Sequence, residues 1–188
     1  DSKSVFYTIL DANHRPVGIR RHTIGDDPTS SISVYDEPDP GFFVGVGETK
    51  SRRYILISAH DHETSEVHII DADRPEDPPR CIAPRETKVE YEVEHNGDRF
   101  VILTNADGAE DFKLVEAPVV NPGRDNWQDL IPHRPGRLIV GMDMFQDYLV
   151  RLERADALPH IIVTRLADDT TFEISFKEEA YSLGLAGG

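Results

Sequence analysis

The sequence has a single cysteine, Cys81, two methionines and one tryptophan in 188 residues. One cysteine excludes an intrachain disulfide; it fits a reducing compartment, and a cytoplasmic location is expected. Cys81 lies in the short apolar run Cys81-Ile82-Ala83, which reads as a strand. A buried structural thiol is therefore expected there rather than a nucleophile. No apolar stretch approaches the roughly 20 residues of a membrane-spanning helix, and no signal-peptide pattern opens the chain. No membrane partner is expected. The chain starts Asp1-Ser2-Lys3 rather than with methionine, which reads as a processed chain or a piece of something longer.

Positive charge is also scarce. Lys and Arg number 20 against 35 Asp and Glu, a net charge of −15. Duplex binding needs a basic footprint, so nucleic acid is excluded as a partner. The surplus serves solubility, and it suits a cationic ligand that an acidic surface can concentrate.

Helical periodicity is missing as well: no segment carries a 3.6-residue apolar repeat with start and stop signals. What is present is a repeat of β runs. Four of them carry an aromatic anchor, Tyr7, Tyr54, Phe100 and Tyr148, spaced by 47, 46 and 48 residues. A second strand follows each at 17–24, 66–72, 112–117 and 160–166, across links such as Asp11-Ala12-Asn13-His14-Arg15-Pro16 and His62-Glu63-Thr64-Ser65 that favour hairpin turns. A weaker strand is expected at 31–35, 80–83, 128–131 and 171–176. A further run opens the next unit at 42–46, 89–94, 138–145 and 180–185.

Four short strands per period of about 47 residues predict an all-β fold, a partial β-propeller of about four four-stranded antiparallel blades. One such sheet cannot bury both faces alone, so blades come in arrays. The repeats run roughly 1–41, 42–88, 89–136 and 137–179 within one propeller segment, with 180–188 starting another strand. The first repeat opens without an inner strand of its own. A closed four-blade ring and an open array both fit the count; an open array exposes apolar faces and invites self-association.

Few motifs carry chemistry. A nucleophile elbow needs Gly-x-Ser-x-Gly on a strand-to-helix turn, and no serine here sits in that frame. No catalytic residue, cofactor or metal centre is assigned. The nearest to a metal motif is His60-Asp61-His62, whose histidines, two apart on a strand, share a side, with His68 or Glu66 as third ligand. The competing reading is a solvated polar hairpin end. Glu90, Glu92 and Glu94 alternate with Val89, Tyr91 and Val93 and share one face. They form either an acidic patch facing basic substrate or partners of arginines such as Arg85, Arg99 and Arg137. The basic clusters Lys50-Ser51-Arg52-Arg53 and His133-Arg134-Pro135-Gly136-Arg137 read as salt-bridge donors. Gly45-Val46-Gly47 and Asp107-Gly108 open no helix and are not phosphate loops.

Two stretches carry a resemblance. One is Gly47-Glu48-Thr49-Lys50-Ser51-Arg52-Arg53-Tyr54 leading into His60-Asp61-His62-Glu63-Thr64-Ser65-Glu66-Val67. The other runs from Val89 through Asn96-Gly97-Asp98-Arg99-Phe100 to Phe112-Lys113. They resemble the propeller domain of the oligopeptidase B (protease II) branch of the prolyl oligopeptidase family of serine peptidases, and the likeness extends over essentially the whole chain. The resemblance implies a seven-bladed propeller capping an α/β-hydrolase domain, which holds a Ser-Asp-His triad and cleaves short peptides after Arg or Lys. On that reading this chain is a non-catalytic part of the propeller, inactive alone, whose partners are the catalytic domain and short basic peptides. The alternative is a stand-alone propeller that binds a protein or ligand without peptidase activity.

Overall fold

The computed structural model describes residues 3–176 and 182–185. Among them the regular structure is antiparallel β, with only three single-turn 3-10 segments, at Pro28–Ser30, Ala106–Gly108 and Arg124–Asn126. Sheet 1 holds β1 (Ser4–Leu10), β2 (Pro16–Thr23) and β3 (Ile32–Asp36) in that order. Sheet 2 holds β4 (Phe43–Glu48), β5 (Tyr54–His60), β6 (Ser65–Asp71) and β7 (Arg80–Cys81). Sheet 3 holds β8 (Tyr91–Asn96), β9 (Arg99–Thr104), β10 (Lys113–Pro118) and β11 (Gln128–Ile131). Sheet 4 holds β12 (Leu138–Met144), β13 (Tyr148–Ala155), β14 (Leu158–Arg165) and β15 (Thr171–Ile174). Each sheet is a meander, its strands paired in chain order.

Three sheets thus have the four strands expected of a blade, and sheet 1 has three, without the inner strand that the first repeat also lacks in sequence. The strand expected at 180–185 lies partly outside the described residues, and 182–185 form no ladder. The expected strand at 80–83 is only the two residues of β7. Pro78 and Pro79 before it and Pro84 after it cannot donate to a ladder.

The turns follow from their residues. Asp11 Oδ1 accepts from the backbone N–H of Asn13 (2.8 Å) and Arg15 (2.9 Å) and closes the β1–β2 link. Asp61 Oδ1 does the same for Glu63 (2.8 Å) and Thr64 (2.7 Å) between β5 and β6. Both are side-chain mimics of a backbone turn. β8 and β9 join through Gly97 and Asp98, with glycine at φ +65° in the position that needs it. The β13–β14 hairpin places Asp156 and Ala157 at φ +50° and +65°, without glycine at either.

The chain forms two compact units, Asp1–Glu90 and Tyr91–Gly188. In the first, sheets 1 and 2 share a core of Ile19, Phe42, Val44, Ile57, Ala59 and Ile70, with Phe6, Val34 and Tyr35 packed against it. In the second, sheets 3 and 4 share Val101, Leu103, Leu114, Ile139, Met144 and Leu149. Burial of the aromatic anchors differs among the sheets. Tyr54 and Phe100, in second strands of sheets 2 and 3, are 9% and 0% exposed, while Tyr7 and Tyr148 are 38% and 40% exposed. Residues 100–103 are all buried, so β9 is covered on both faces. Apolar side chains stay exposed on sheet 1 (Val5, Leu10, Ile32) and on sheet 4 (Val140, Phe172, Ile174).

Candidate functional site

Alternation along β6 sorts the residues of the expected metal motif onto two faces. His60 pairs with Ser65, whereas Glu66 pairs with Ala59 and His68 with Ile57. Paired residues share a face and successive residues alternate. His60 is therefore on the opposite face of the hairpin from Glu66 and His68, and His62 is exposed in the turn. The structure does not bring His60 and His62 together with either expected third ligand. His60 Nδ1 instead lies 3.2 Å from the Asp61 carbonyl oxygen.

Glu66 and His68 meet Cys81. His68 and Cys81 are directly paired between β6 and β7, and the donor atoms of all three lie within 4.8 Å of one another. Cys81 is half-buried rather than enclosed, because β7 is the edge strand of sheet 2; Ile82 and Ala83 beside it are buried. Burial still pushes its thiol up to about 11. Burial also holds His68 below its usual value, and the Glu66 carboxylate opposes that only in part. The sequence contained the signal for this grouping, two polar residues at i, i+2. The partner strand and its register were what it left open.

Arg85 organises the surroundings. Its guanidinium makes a fork onto Glu37, Nη1 to Oε1 at 3.2 Å and Nη2 to Oε2 at 2.7 Å, and Nη2 also lies 3.4 Å from Glu66 Oε1. Its backbone N–H donates to Glu66 Oε2 at 2.9 Å. The charge stacks on the Phe42 ring, 4.0 Å from the centroid. Burial works to raise the Glu37 carboxyl, but hydrogen bonds from Arg85, the Asp39 N–H and the Tyr35 hydroxyl outweigh it and hold it below its usual value. Sheet 4 has a counterpart. Glu153 is buried between Arg137 and Arg151, whose Nε atoms both donate to it, and Arg151 Nη1 reaches Thr164 Oγ1 at 3.1 Å. Again burial opposes ionisation and the two arginines prevail.

The basic clusters are salt-bridge donors within their own units. Arg53 pairs with Asp73 and Asp71, Arg52 with Glu48, and Arg137 with Glu153. Of the acidic triplet, Glu92 and Glu94 lie on β8, the edge strand of sheet 3, alternating with buried Tyr91, Val93 and His95. Glu92 is exposed and Glu94 half-buried; Glu90 precedes the strand and is half-buried. The arginines named as their partners are engaged with other carboxylates: Arg85 with Glu37 and Glu66, Arg99 with Glu116, Arg137 with Glu153.

Among the described residues helices are limited to single 3-10 turns, so the strand–turn–helix of a nucleophile elbow has no counterpart. A cavity of about 300 Å³ beside β9 and β10 is lined by Asp98, Arg99, Glu116, Pro118, Asn126 and Gln128. Its one cation, Arg99, is neutralised by Glu116, and it offers no nucleophile.

Comparison with known proteins gives a consistent picture. The family model of the prolyl oligopeptidase N-terminal β-propeller domain matches residues 1–188. Dipeptidyl aminopeptidase BI of Pseudoxanthomonas mexicana is 35% identical over 187 residues, 99% of this chain and 26% of that protein. Protease 2 of Moraxella lacunata is 30% identical over 96% of this chain and 26% of its own length. Among solved structures, oligopeptidase B from Trypanosoma brucei with covalently bound antipain, in its closed form, superposes with a TM-score of 0.88 at 30% identity, over 95% of this chain and 26% of that one. The chain spans about a quarter of the length of the curated relatives it matches.

Proposed function

This chain belongs to the prolyl oligopeptidase N-terminal β-propeller domain family, and from that premise we propose that it is the non-catalytic propeller portion of an oligopeptidase B-like serine endopeptidase. Its role is to gate access of short basic peptides to a catalytic domain that lies outside these 188 residues. The observation that carries the reading is the family match over the whole chain, together with peptidase relatives about four times as long. The lack of an elbow among the described residues supports a gating role rather than a chemical one. The net charge of −15 and the acidic edge at Glu92 and Glu94 support cationic peptides, because an acidic surface raises their local concentration. A single cysteine supports a reducing, cytoplasmic setting.

Gating is steric: extended peptides pass an opening that folded domains do not. The test compares the intact enzyme with a version lacking the propeller, on a short arginine-containing peptide and on a folded protein. The intact enzyme is expected to cleave only the peptide, and the truncated enzyme to cleave both or to lose its size preference. Unchanged size selection after removal overturns the proposal.

A further inference from the structure

Glu66, His68 and Cys81 supply a carboxylate, an imidazole and a thiol from neighbouring strands, with donor atoms within 4.8 Å of one another. A tetrahedral ion with bonds of about 2.0–2.3 Å holds its ligand atoms roughly 3.5 Å apart. Side-chain rotation of about 1 Å closes the difference. His68 Nε2 lies 3.8 Å from Glu66 Oε1, so that nitrogen is the one facing the carboxylate. Charge points the same way. With Cys81 as thiolate, the group formed by Glu37, Glu66, Arg85 and Cys81 carries a net charge of −2, which one divalent cation neutralises. Arg85 meanwhile holds Glu66 through its backbone N–H at 2.9 Å, the kind of outer hydrogen bond that orients a ligating carboxylate.

We propose that Glu66, His68 and Cys81 form a binding site for a thiophilic divalent cation of the zinc class, with solvent completing the coordination. The mixed sulfur, nitrogen and oxygen donors select such an ion over calcium or magnesium, which prefer all-oxygen shells. On binding, a sulfur–metal bond forms and the Cys81 S–H bond breaks, releasing one proton to solvent, so affinity rises with pH. The ion ties the short edge strand β7 to β6. Its role is to stabilise sheet 2, and it stands whether or not the chain serves a peptidase.

The test titrates the 188-residue chain with zinc and, separately, with cobalt(II) as a spectroscopic probe. Expected are one ion per chain, about one proton released per ion at neutral pH, a higher melting temperature, and a near-ultraviolet thiolate-to-cobalt charge-transfer band. Cys81→Ser is expected to abolish the band, and both it and His68→Gln to weaken zinc binding at least about tenfold. Circular dichroism confirms that each variant is folded. The double variant His60→Gln/His62→Gln, which removes the exposed histidines of the same hairpin, is expected to leave stoichiometry and band intact. Saturation with cobalt without a charge-transfer band overturns the proposal. So does binding that survives Cys81→Ser but disappears in the double variant.

Discussion

Arg85 grips Glu37 with both ends of its guanidinium, at 3.2 and 2.7 Å, across 48 residues of chain. Glu37 follows β3 of sheet 1, and Arg85 follows β7 of sheet 2, where it also holds Glu66. The Glu37 side chain has no exposed surface. The pair therefore works as a clasp between the two sheets of the first unit, beside the core they share.

Breaking that clasp should cost more than an exposed ion pair would, because it strands a buried carboxylate. Arg85→Leu is expected to destabilise the chain by about 2–4 kcal/mol, near the range for removing one partner of a buried pair. Tyr35 and the Asp39 N–H still satisfy part of Glu37, which keeps the loss toward the lower end. Arg85→Lys should recover little, since a point charge cannot make the fork. Urea unfolding of the three proteins checks this; a fully stable lysine variant would show that the fork is unimportant.

Acid should weaken the fold in two stages. His68 is held below the usual imidazole value, so the unfolded chain takes the proton first. Stability is complete above about pH 6.5 and declines as pH falls through the lower folded pKa. Glu37 and Glu153 are held below 4.5. Their contribution is present above about pH 4.5 and is lost as pH falls through their lower folded values. Melting temperature followed from neutral to acid should fall in both windows, and His68→Gln should remove the upper stage while leaving the lower one.

The β13–β14 turn carries Ala157 at φ +65°, a left-handed conformation that costs a residue with a Cβ about 1 kcal/mol or more. Ala157→Gly relieves this and gives back part of the gain as unfolded-state entropy. A net stabilisation of about 0.5 kcal/mol is expected in thermal denaturation. Ala155→Gly, at the last residue of β13, should destabilise instead.

On the proposed gating role, Glu92→Lys together with Glu94→Lys in a full-length peptidase is expected to lower kcat/KM for short basic peptides several-fold at low ionic strength. The effect should shrink as salt screens the surface. Neutral peptides serve as the control: an equal loss for them would place the effect in folding rather than in attraction of cations.

The 188-residue chain alone should self-associate through apolar residues left exposed on sheets 1 and 4, such as Val5, Leu10, Phe172 and Ile174. Light scattering over a range of concentrations measures it. Phe172→Lys with Ile174→Lys should shift the population toward monomer.

The repeat was legible because its signals are local. Strands need only alternation, hairpins only a turn residue, and both lie within a few positions of each other. Asp61 closing its turn onto Glu63 and Thr64 and Gly97 taking positive φ follow from residue type alone. The limits of β7 were less clear: the apolar run at 81–83 looks like strand, but Pro79 and Pro84, which cannot donate to a ladder, flank it closely and regular strand ends at Cys81. The acidic triplet was readable as alternation on β8, but not the engagement of Arg85, Arg99 and Arg137 with other glutamates.

The amino-acid sequence by itself determined the class of fold and the number of repeats, since each rests on patterns a few residues long. Only the tertiary structure decided which polar groups meet. A shift of one residue in register moves a side chain to the other face of a sheet, and that alone separates His60 from Glu66 and His68 and sets His68 opposite Cys81. The Arg85–Glu37 clasp depends on how two sheets pack, which pairwise contacts distant in the chain settle and local pattern does not.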